Sequence, residues 1–374
     1  MIKRAVKIEN LIERQKVLII YGPRRVGKTT LLNEFISKSE KKIKVDSGDN
    51  IRTQSVLNSK DFQRINEYVA GYDIIAIDEA QQIKDIGMGL KIIVDNNPGI
   101  SVIATGSSSF DLSQKVGEPL TGRKRTVMLY PFSQQELSAL YNRYELKEKL
   151  EDFLIFGSYP EVLMKKDRSG KIETLTDLVD SYLLKDVLAV EKIRGAEQII
   201  NLLKLLAFQV GSEVSYNEIA SNIKMDVKTV IKYIDILEKG FIIFRHSPLS
   251  RNLRSEITKK SKYYFYDNGV RNGIIMQFNE LGYRNDVGQL FENFIISERK
   301  KFRDYNGIFK NSYFWRQYQS GEIDLVEEGD GKLNAYEIKW SGNAKVKKPK
   351  SFFTAYPESS FQIIDSNNYL DFIL

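Results

Sequence analysis

A buried strand, a glycine-containing loop and a helix follow one another without a break near the start of this 374-residue chain. The sequence predicts the strand at Val17–Tyr21 and the helix at Thr29–Ser37. Between them runs Gly22-Pro23-Arg24-Arg25-Val26-Gly27-Lys28-Thr29, which matches GxxxxGK[ST] in the context that motif requires. Each residue type has a physical task there. Glycines let main-chain N–H groups turn inward around phosphate oxygens, and the start of the helix adds favourable partial charge. Lys28 is placed to reach the β- and γ-phosphates of a nucleotide, and Thr29 to present its hydroxyl to Mg2+. With Thr30, these loop residues form the candidate nucleotide contact. Arg24 and Arg25 lie in the loop itself, facing either phosphate or a partner.

A second strand, Ile74-Ile75-Ala76-Ile77, ends in Asp78-Glu79. Its distance downstream suits a neighbour in the same sheet. Asp78 would then hold Mg2+, directly or through water, and Glu79 would orient and activate the attacking water. A third strand, Val102–Thr105, leads into Gly106-Ser107-Ser108, and either serine could sense the γ-phosphate. The substrate implied is a nucleoside triphosphate, with ATP the first choice and Mg2+ its companion.

Composition removes several other chemistries. There is no cysteine, so disulfides, thiolate nucleophiles and zinc-thiolate sites are all excluded. The one histidine, His246, cannot by itself support a histidine-rich metal site, and it reads as a packing or surface residue. Any metal must be held by carboxylates, which favours magnesium or manganese over zinc. Hydrophobic residues at 42% and charged residues at 28% fit an ordinary globular chain, and no apolar run has membrane-spanning length. Cytoplasm is the expected compartment, with no membrane partner. The net charge of +7 gives mild support for an anionic partner. Two local clusters stand out, Arg251, Arg254, Lys259, Lys260 and Lys262, then Lys345, Lys347, Lys348 and Lys350. Each fits a solvated face as well as a nucleic-acid groove.

Along the first ~130 residues, short apolar strands alternate with amphipathic helices, the pattern of a parallel α/β sheet covered on both faces. Further strands are predicted at Ile43–Asp46 and Thr126–Leu129, and helices at Asp61–Val69 and Gly87–Asn96. From Ser133 the pattern turns helical, opened by a capping box with Ser133 as N-cap and Glu136 three residues on. Helices predicted at Asn201–Gln209, Tyr216–Ile223 and Val227–Lys239, then strands at Phe241–Arg245 and Lys262–Tyr266, have a winged-helix layout. Lys228, Thr229 and Lys232 would face outward from its third helix, towards DNA, while Ile219, Val230, Ile234 and Leu237 face its core. The same layout also serves in lids and protein docking. From Asn285 onward a small α/β domain is predicted.

That last domain carries a second constellation. Asp324 and the pair Glu337-x-Lys339 fall on strands expected to be adjacent and antiparallel, and residues two apart share a strand face. Two carboxylates there could hold Mg2+, and the lysine could steady a water or a phosphate oxygen.

Taken together, these motifs resemble the prokaryotic AAA+-superfamily ATPases that carry a C-terminal domain of unassigned function. The matching stretches are the phosphate loop, Asp78-Glu79-Ala80-Gln81, Thr105-Gly106-Ser107-Ser108-Ser109, Leu120-Thr121-Gly122-Arg123, Pro131-Phe132-Ser133, Gly157-Ser158-Tyr159-Pro160-Glu161 and Leu290-Phe291-Glu292-Asn293. The resemblance implies a P-loop NTPase domain (1–132) with an AAA+-like parallel sheet, a helical lid (133–195), a winged helix (196–270) and a small α/β nuclease-like domain (285–374). In such ATPases an arginine completes the catalytic site. Arg123 is the candidate, the other reading being a surface arginine beside Lys124 and Arg125. The end of the chain resembles the PD-(D/E)xK nuclease core, with Asp324, Glu337 and Lys339 in the motif positions and Glu292 as the helix acid. Asp324 follows Ile323 rather than proline, which departs from the pattern. The preferred functional reading is a DNA-associated ATPase in which ATP binding closes the lid. The alternative is an ATP-dependent docking switch that engages a second copy or a partner protein.

Overall fold

Strand β1 (Val17–Tyr21) lies inside a parallel sheet whose strand order is β2-β3-β4-β1-β5. Its partners are β2 (Ile43–Ser47), β3 (Ile74–Asp78), β4 (Ser101–Gly106) and β5 (Lys124–Met128). The order follows from composition. The continuous apolar runs of β1, β3 and β4 are buried on both faces, whereas β2 and β5 carry Lys44, Asp46, Lys124 and Arg125 and take the edges. Among the described residues, four helices connect and cover the strands: α1 (Lys28–Lys38), α2 (Ile51–Leu57), α3 (Phe62–Val69) and α4 (Ile86–Asn96). Ile65, Val69, Leu90, Ile93 and Leu57 pack on Val17, Ile19, Ile75 and Ile77 in one core. Each such side chain taken out of water contributes about 1.5–3 kcal/mol. The short helix α2 was not anticipated. It is started by the Asn50 side chain, which accepts from the Arg52 N–H.

In this computed structural model the described residues are 2–107, 119–180, 196–250, 260–317, 321–342 and 346–374. Ser108 and Ser109, Arg251, Arg254, Lys259, Lys345 and the end of the expected lid beyond residue 180 lie outside them. The chain forms two compact units. One holds the parallel sheet, Arg4–Tyr130 with Lys239–Phe241, and the other takes Pro131–Glu238 and Ile242–Leu374. The boundaries expected at 196 and 285 therefore run through a single compact unit.

For residue 285 the reason is visible in the sheet of that second unit. It contains β6 (Ile243–Pro248), β7 (Lys262–Phe265), β8 (Asn311–Gln317), β9 (Gly321–Gly329), β10 (Lys332–Ile338) and β11 (Ser360–Ile364). The order is β11-β10-β9-β8-β6-β7, so the β6–β7 hairpin and the strands after residue 311 share one sheet. β6 runs parallel to β8, with Ser247 opposite Tyr313 and Pro248 opposite Phe314. The helix Val287–Tyr305 supplies Glu298, whose carboxylate accepts from the Gln134 N–H at 2.6 Å and pairs with Lys301 at 2.7 Å. Ser133 and Glu136 form both halves of the predicted capping box.

Gly157 shows why a glycine stands in the interrupted helical stretch. Its φ is +70°, and a β-carbon there would lie 1.9 Å from the Asp267 carboxylate. That carboxylate accepts from the Ser158 N–H at 2.7 Å and caps the helix Asn268–Ile274. Among the helices Ala196–Phe208, Tyr216–Asn222 and Val227–Lys239, Ile219, Val230, Ile234 and Leu237 are buried while Lys228 and Lys232 are exposed. Thr229 is half-buried and its hydroxyl is engaged by Asp226. No helix among the described residues is long and apolar enough to cross a membrane.

Candidate nucleotide site and carboxylate cluster

The ends of β1, β3 and β4 meet on one edge of the parallel sheet, where ligands of open α/β sheets bind. Tyr21 lies opposite Gly106 and Ile77 opposite Ala104, which sets Asp78 beside Thr105 and starts the phosphate loop at Gly22 just past Gly106, at the same end of the sheet. The phosphate loop is held tightly. Leu129, just after β5, donates its N–H to the Tyr21 carbonyl at 2.8 Å, and a β-carbon on Gly22 would sit 2.1 Å from the Leu129 carbonyl oxygen. Gly27 takes a φ of +91° at the N-cap of α1, and Arg25 has a φ of +60°. Successive left-handed and right-handed residues turn N–H groups into one concavity. Val26 is fully buried and anchors the loop, while Arg24 and Arg25 are half-buried and Thr29 and Thr30 exposed. The Lys28 ammonium, only 5% exposed, donates to the Gly22 and Pro23 carbonyls at 2.9 and 2.8 Å.

Beside it, the Thr29 hydroxyl donates to Asp78 Oδ2 at 2.7 Å. Asp78 Oδ1 accepts from the Thr105 hydroxyl and from the Glu79 N–H at 3.1 Å. Thr29 and Asp78 thus offer adjacent oxygen donors of the kind that a hard cation such as Mg2+ takes. Glu79 itself has a φ of +49°, a left-handed conformation that costs a non-glycine residue of order 1–2 kcal/mol. It is held there by its neighbours. Gly48 donates its N–H to the Asp78 carbonyl at 2.7 Å, and a β-carbon on Gly48 would lie 2.2 Å from the Glu79 carbonyl oxygen. The Gln81 side-chain amide donates to the Glu79 carboxylate and, at 3.1 Å, to the Ser107 hydroxyl.

Arg123 is a correction. The register pairs Val17 with Lys124 and Tyr21 with Met128, so Arg123 precedes β5 at the start of β1, not at its phosphate-bearing end. Its carbonyl accepts from the Val17 N–H at 2.8 Å and its guanidinium pairs with Asp95 at 2.5 Å. The length of a strand, roughly 3.3 Å per residue, separates it from its own phosphate loop. Within one chain it cannot complete that site.

In the second unit, Tyr336 pairs with Leu325 on antiparallel β9 and β10, which brings Glu337 beside Asp324. Lys339 reaches Glu337 Oε1 at 2.7 Å and Asp324 Oδ2 at 3.6 Å. Asp324 Oδ2 also accepts from the Ile338 N–H at 2.9 Å. Glu292, on the helix Val287–Tyr305, accepts from the Tyr264 hydroxyl at 2.6 Å. Glu292, Asp324, Glu337 and Lys339, the residues expected at a second Mg2+ site, are thus brought into one region, and a further cation stands among them. Lys262, counted by sequence in a solvent-facing basic cluster, is 1% exposed and stands among the acids, 2.5 Å from Glu322, 3.5 Å from Glu292 and 3.8 Å from Asp324. Among the described residues no group of three or more acids or histidines is disposed to hold a metal ion. Burial pushes the Glu292 carboxyl up to about 7 against the pull of Lys262, and burial beside Asp324 does the same to Glu337. His246, opposite Lys262 on β6, is pushed down to about 3 by burial and by the Lys262 charge.

Comparison with known proteins meets this geometry at the parallel sheet, where residues 14–138 match the AAA domain family model. The first unit carries an AAA-type P-loop ATPase domain. It is an ATP-hydrolysing enzyme domain by that match. Residues 147–281 and 287–372 match two domains of unknown function, DUF8612 and DUF4143. The chain is 26% identical over 361 residues to the uncharacterized protein MJ1544 of Methanocaldococcus jannaschii, covering 87% of this chain and 75% of that one. It is 24% identical over 352 residues to the uncharacterized protein Rv2008c of Mycobacterium tuberculosis, covering 92% and 75%. A solved RuvB variant of Thermotoga maritima covers 62% of this chain at 17% identity with a TM-score of 0.28, too low to bear on the fold.

Sequence reasoning about the ATPase domain missed Gly48, Gln81 and Thr105. Gln81 carried a signal, since it stands two residues beyond Glu79 at a strand end. Gly48 carried none, because its role depends on a neighbouring loop.

Proposed function

We propose that this chain is an ATPase that works on duplex DNA, hydrolysing ATP in its first unit and binding DNA through the helix Val227–Lys239 of its second. In the first unit Lys28 holds the β- and γ-phosphates, the amides of Gly22–Thr29 surround them, and Glu79 orients the attacking water. Thr29 and Asp78 would hold Mg2+, which when bound neutralises charge on the phosphate oxygens. Ser107 monitors the γ-phosphate and reports to Glu79 through Gln81. The compartment this reading implies is the cytoplasm, where ATP and DNA meet.

One observation carries the DNA half of the reading. Lys228 and Lys232 stand one turn apart on an exposed helix face, opposite the buried Val230, Ile234 and Leu237. That is the disposition of a helix that seats its apolar side on its own core and offers ammonium groups to phosphates. The net charge of +7 favours the same partner.

The test is steady-state ATP hydrolysis with increasing duplex DNA, beside a DNA-binding titration at several salt concentrations. The reading expects stimulated turnover and an affinity that falls steeply with salt, with a shallower slope in Lys228→Ala/Lys232→Ala. Turnover that stays flat with double-stranded DNA, single-stranded DNA and RNA would sink it. Nucleotide-dependent particle size in light scattering, without nucleic-acid affinity, would favour a docking switch instead.

A further inference from the structure

Lysine is almost never fully buried unless it is paired, and Lys262 is the most buried lysine among the described residues, 1% exposed at the first position of β7. Its ammonium group is shared by acids from two other elements. Glu322 and Asp324 come from β9, at 2.5 and 3.8 Å, and Glu292 comes from the helix Val287–Tyr305, at 3.5 Å. The face of the Phe314 ring lies 5.3 Å away and closes the other side. Several carboxylate oxygens of the cluster are already engaged, although the buried Glu337 Oε2 has no hydrogen-bond partner. Glu292 Oε1 takes the Tyr264 hydroxyl, and Asp324 Oδ2 takes the Ile338 N–H and faces Lys339.

A magnesium ion in a carboxylate site needs oxygens at about 2.0–2.1 Å in near-octahedral array and keeps several waters. Here the oxygens converge on a protein cation, and a second, doubly charged one would meet both its bulk and its repulsion. We propose that Lys262 is a built-in cation standing where a divalent metal ion would sit, so that this centre is closed without metal and does not cut nucleic acid. The ammonium joins the β6–β7 hairpin to β9 and to the long helix by charge, as the β6–β8 pairing joins them by hydrogen bonds. The charge on Lys262 is felt by its neighbours: the buried His246 ring opposite it is kept neutral. The inference needs no nucleotide and stands or falls apart from the ATPase reading.

Terbium luminescence on the full-length, nucleotide-free chain tests it, because Tyr264, which bonds Glu292, is well placed to sensitise an ion in the cluster. In the unaltered protein, any Tb3+ signal should be the same as in Asp324→Asn. Lys262→Met keeps an unbranched stem, one atom shorter, and removes the charge. It should bind Tb3+ about tenfold more tightly or better, and that gain should vanish in Lys262→Met/Asp324→Asn. A Tb3+ signal in the unaltered chain that Asp324→Asn abolishes overturns the proposal. So does a folded Lys262→Met chain, checked by circular dichroism, that gains no site. Should Lys262→Met fail to fold, the comparison of the unaltered chain with Asp324→Asn decides alone. Plasmid DNA incubated with Mn2+ gives a second readout. Intact plasmid agrees with the proposal, and cutting lost in Asp324→Asn refutes it.

Discussion

Gln81 donates its side-chain amide to the Ser107 hydroxyl at 3.1 Å, and the same amide nitrogen reaches the Glu79 carboxylate. The end of β4 and the acid at the end of β3 are therefore linked through one buried side chain. Removing that link in Gln81→Leu should leave Glu79 present but poorly aimed. We expect kcat for ATP to fall by roughly 10- to 100-fold with KM altered by less than about threefold, the pattern of an interaction made in the transition state. Steady-state kinetics measures both. A rise in KM with kcat unchanged would show that Gln81 serves binding instead.

Lys28 and Glu79 should separate binding from hydrolysis. Lys28→Ala removes the ammonium that grips the phosphate tail, so titration calorimetry should show ATP affinity reduced by about tenfold or more and no measurable turnover. Glu79→Gln keeps the grip and loses the base. It should bind ATP about as well as the unaltered chain while turnover falls by about 100-fold or more.

Gly48→Ala puts a methyl group 2.2 Å from the Glu79 carbonyl oxygen, and both sides of that clash are backbone. The strand ends must part to admit it. Thermal denaturation should show a loss of about 1–3 kcal/mol, and ATP turnover should drop with it because Glu79 is displaced. An alanine at the exposed Gly99, where nothing stands in the way, is the matched control.

The second unit should respond to pH through Glu292. Its carboxyl is raised from 4.5 to about 7 in the folded chain, chiefly by burial. Between those values the folded state holds the proton more tightly than the unfolded state does, so this group's contribution is full below 4.5 and is lost as pH rises through 7. Glu292→Gln cannot titrate. Its melting temperature relative to the unaltered protein should therefore improve by a few degrees between pH 5 and pH 8. A difference that does not change with pH would contradict the assignment. Comparing the two chains cancels His246, which titrates in both.

How much of this was legible beforehand depended on whether the information was local. The phosphate loop, β1, β3 and the ends at Asp78 and Ser107 could be read directly, since apolar runs that end in fixed polar residues carry their own instructions. The capping box at Ser133 and Glu136 was legible for the same reason. Arg123 misled because a loop arginine next to a glycine says nothing about which end of the sheet it occupies. Only the pairing of Val17 with Lys124 decides that. Lys262 misled in the other direction. Its neighbours in sequence are basic and suggest a solvated face, while its partners Glu292, Glu322 and Asp324 lie thirty or more residues away and are met only through the fold. The boundary at 285 was drawn from a change in pattern, and a change in pattern does not reveal that the β6–β7 hairpin before it and β8–β11 after it share a sheet.

The β6–β8 pairing has a practical consequence for anyone cutting this molecule into pieces. A fragment ending before residue 285 would leave the end of β6 at Ser247 and Pro248 without its neighbour and the Leu249 N–H without the Phe314 carbonyl, and the complementary fragment would bare Tyr313 and Phe314 on β8. Unsatisfied strand margins recruit other chains. Each half made alone should clump, and mixing the two halves should restore solubility by mending the seam.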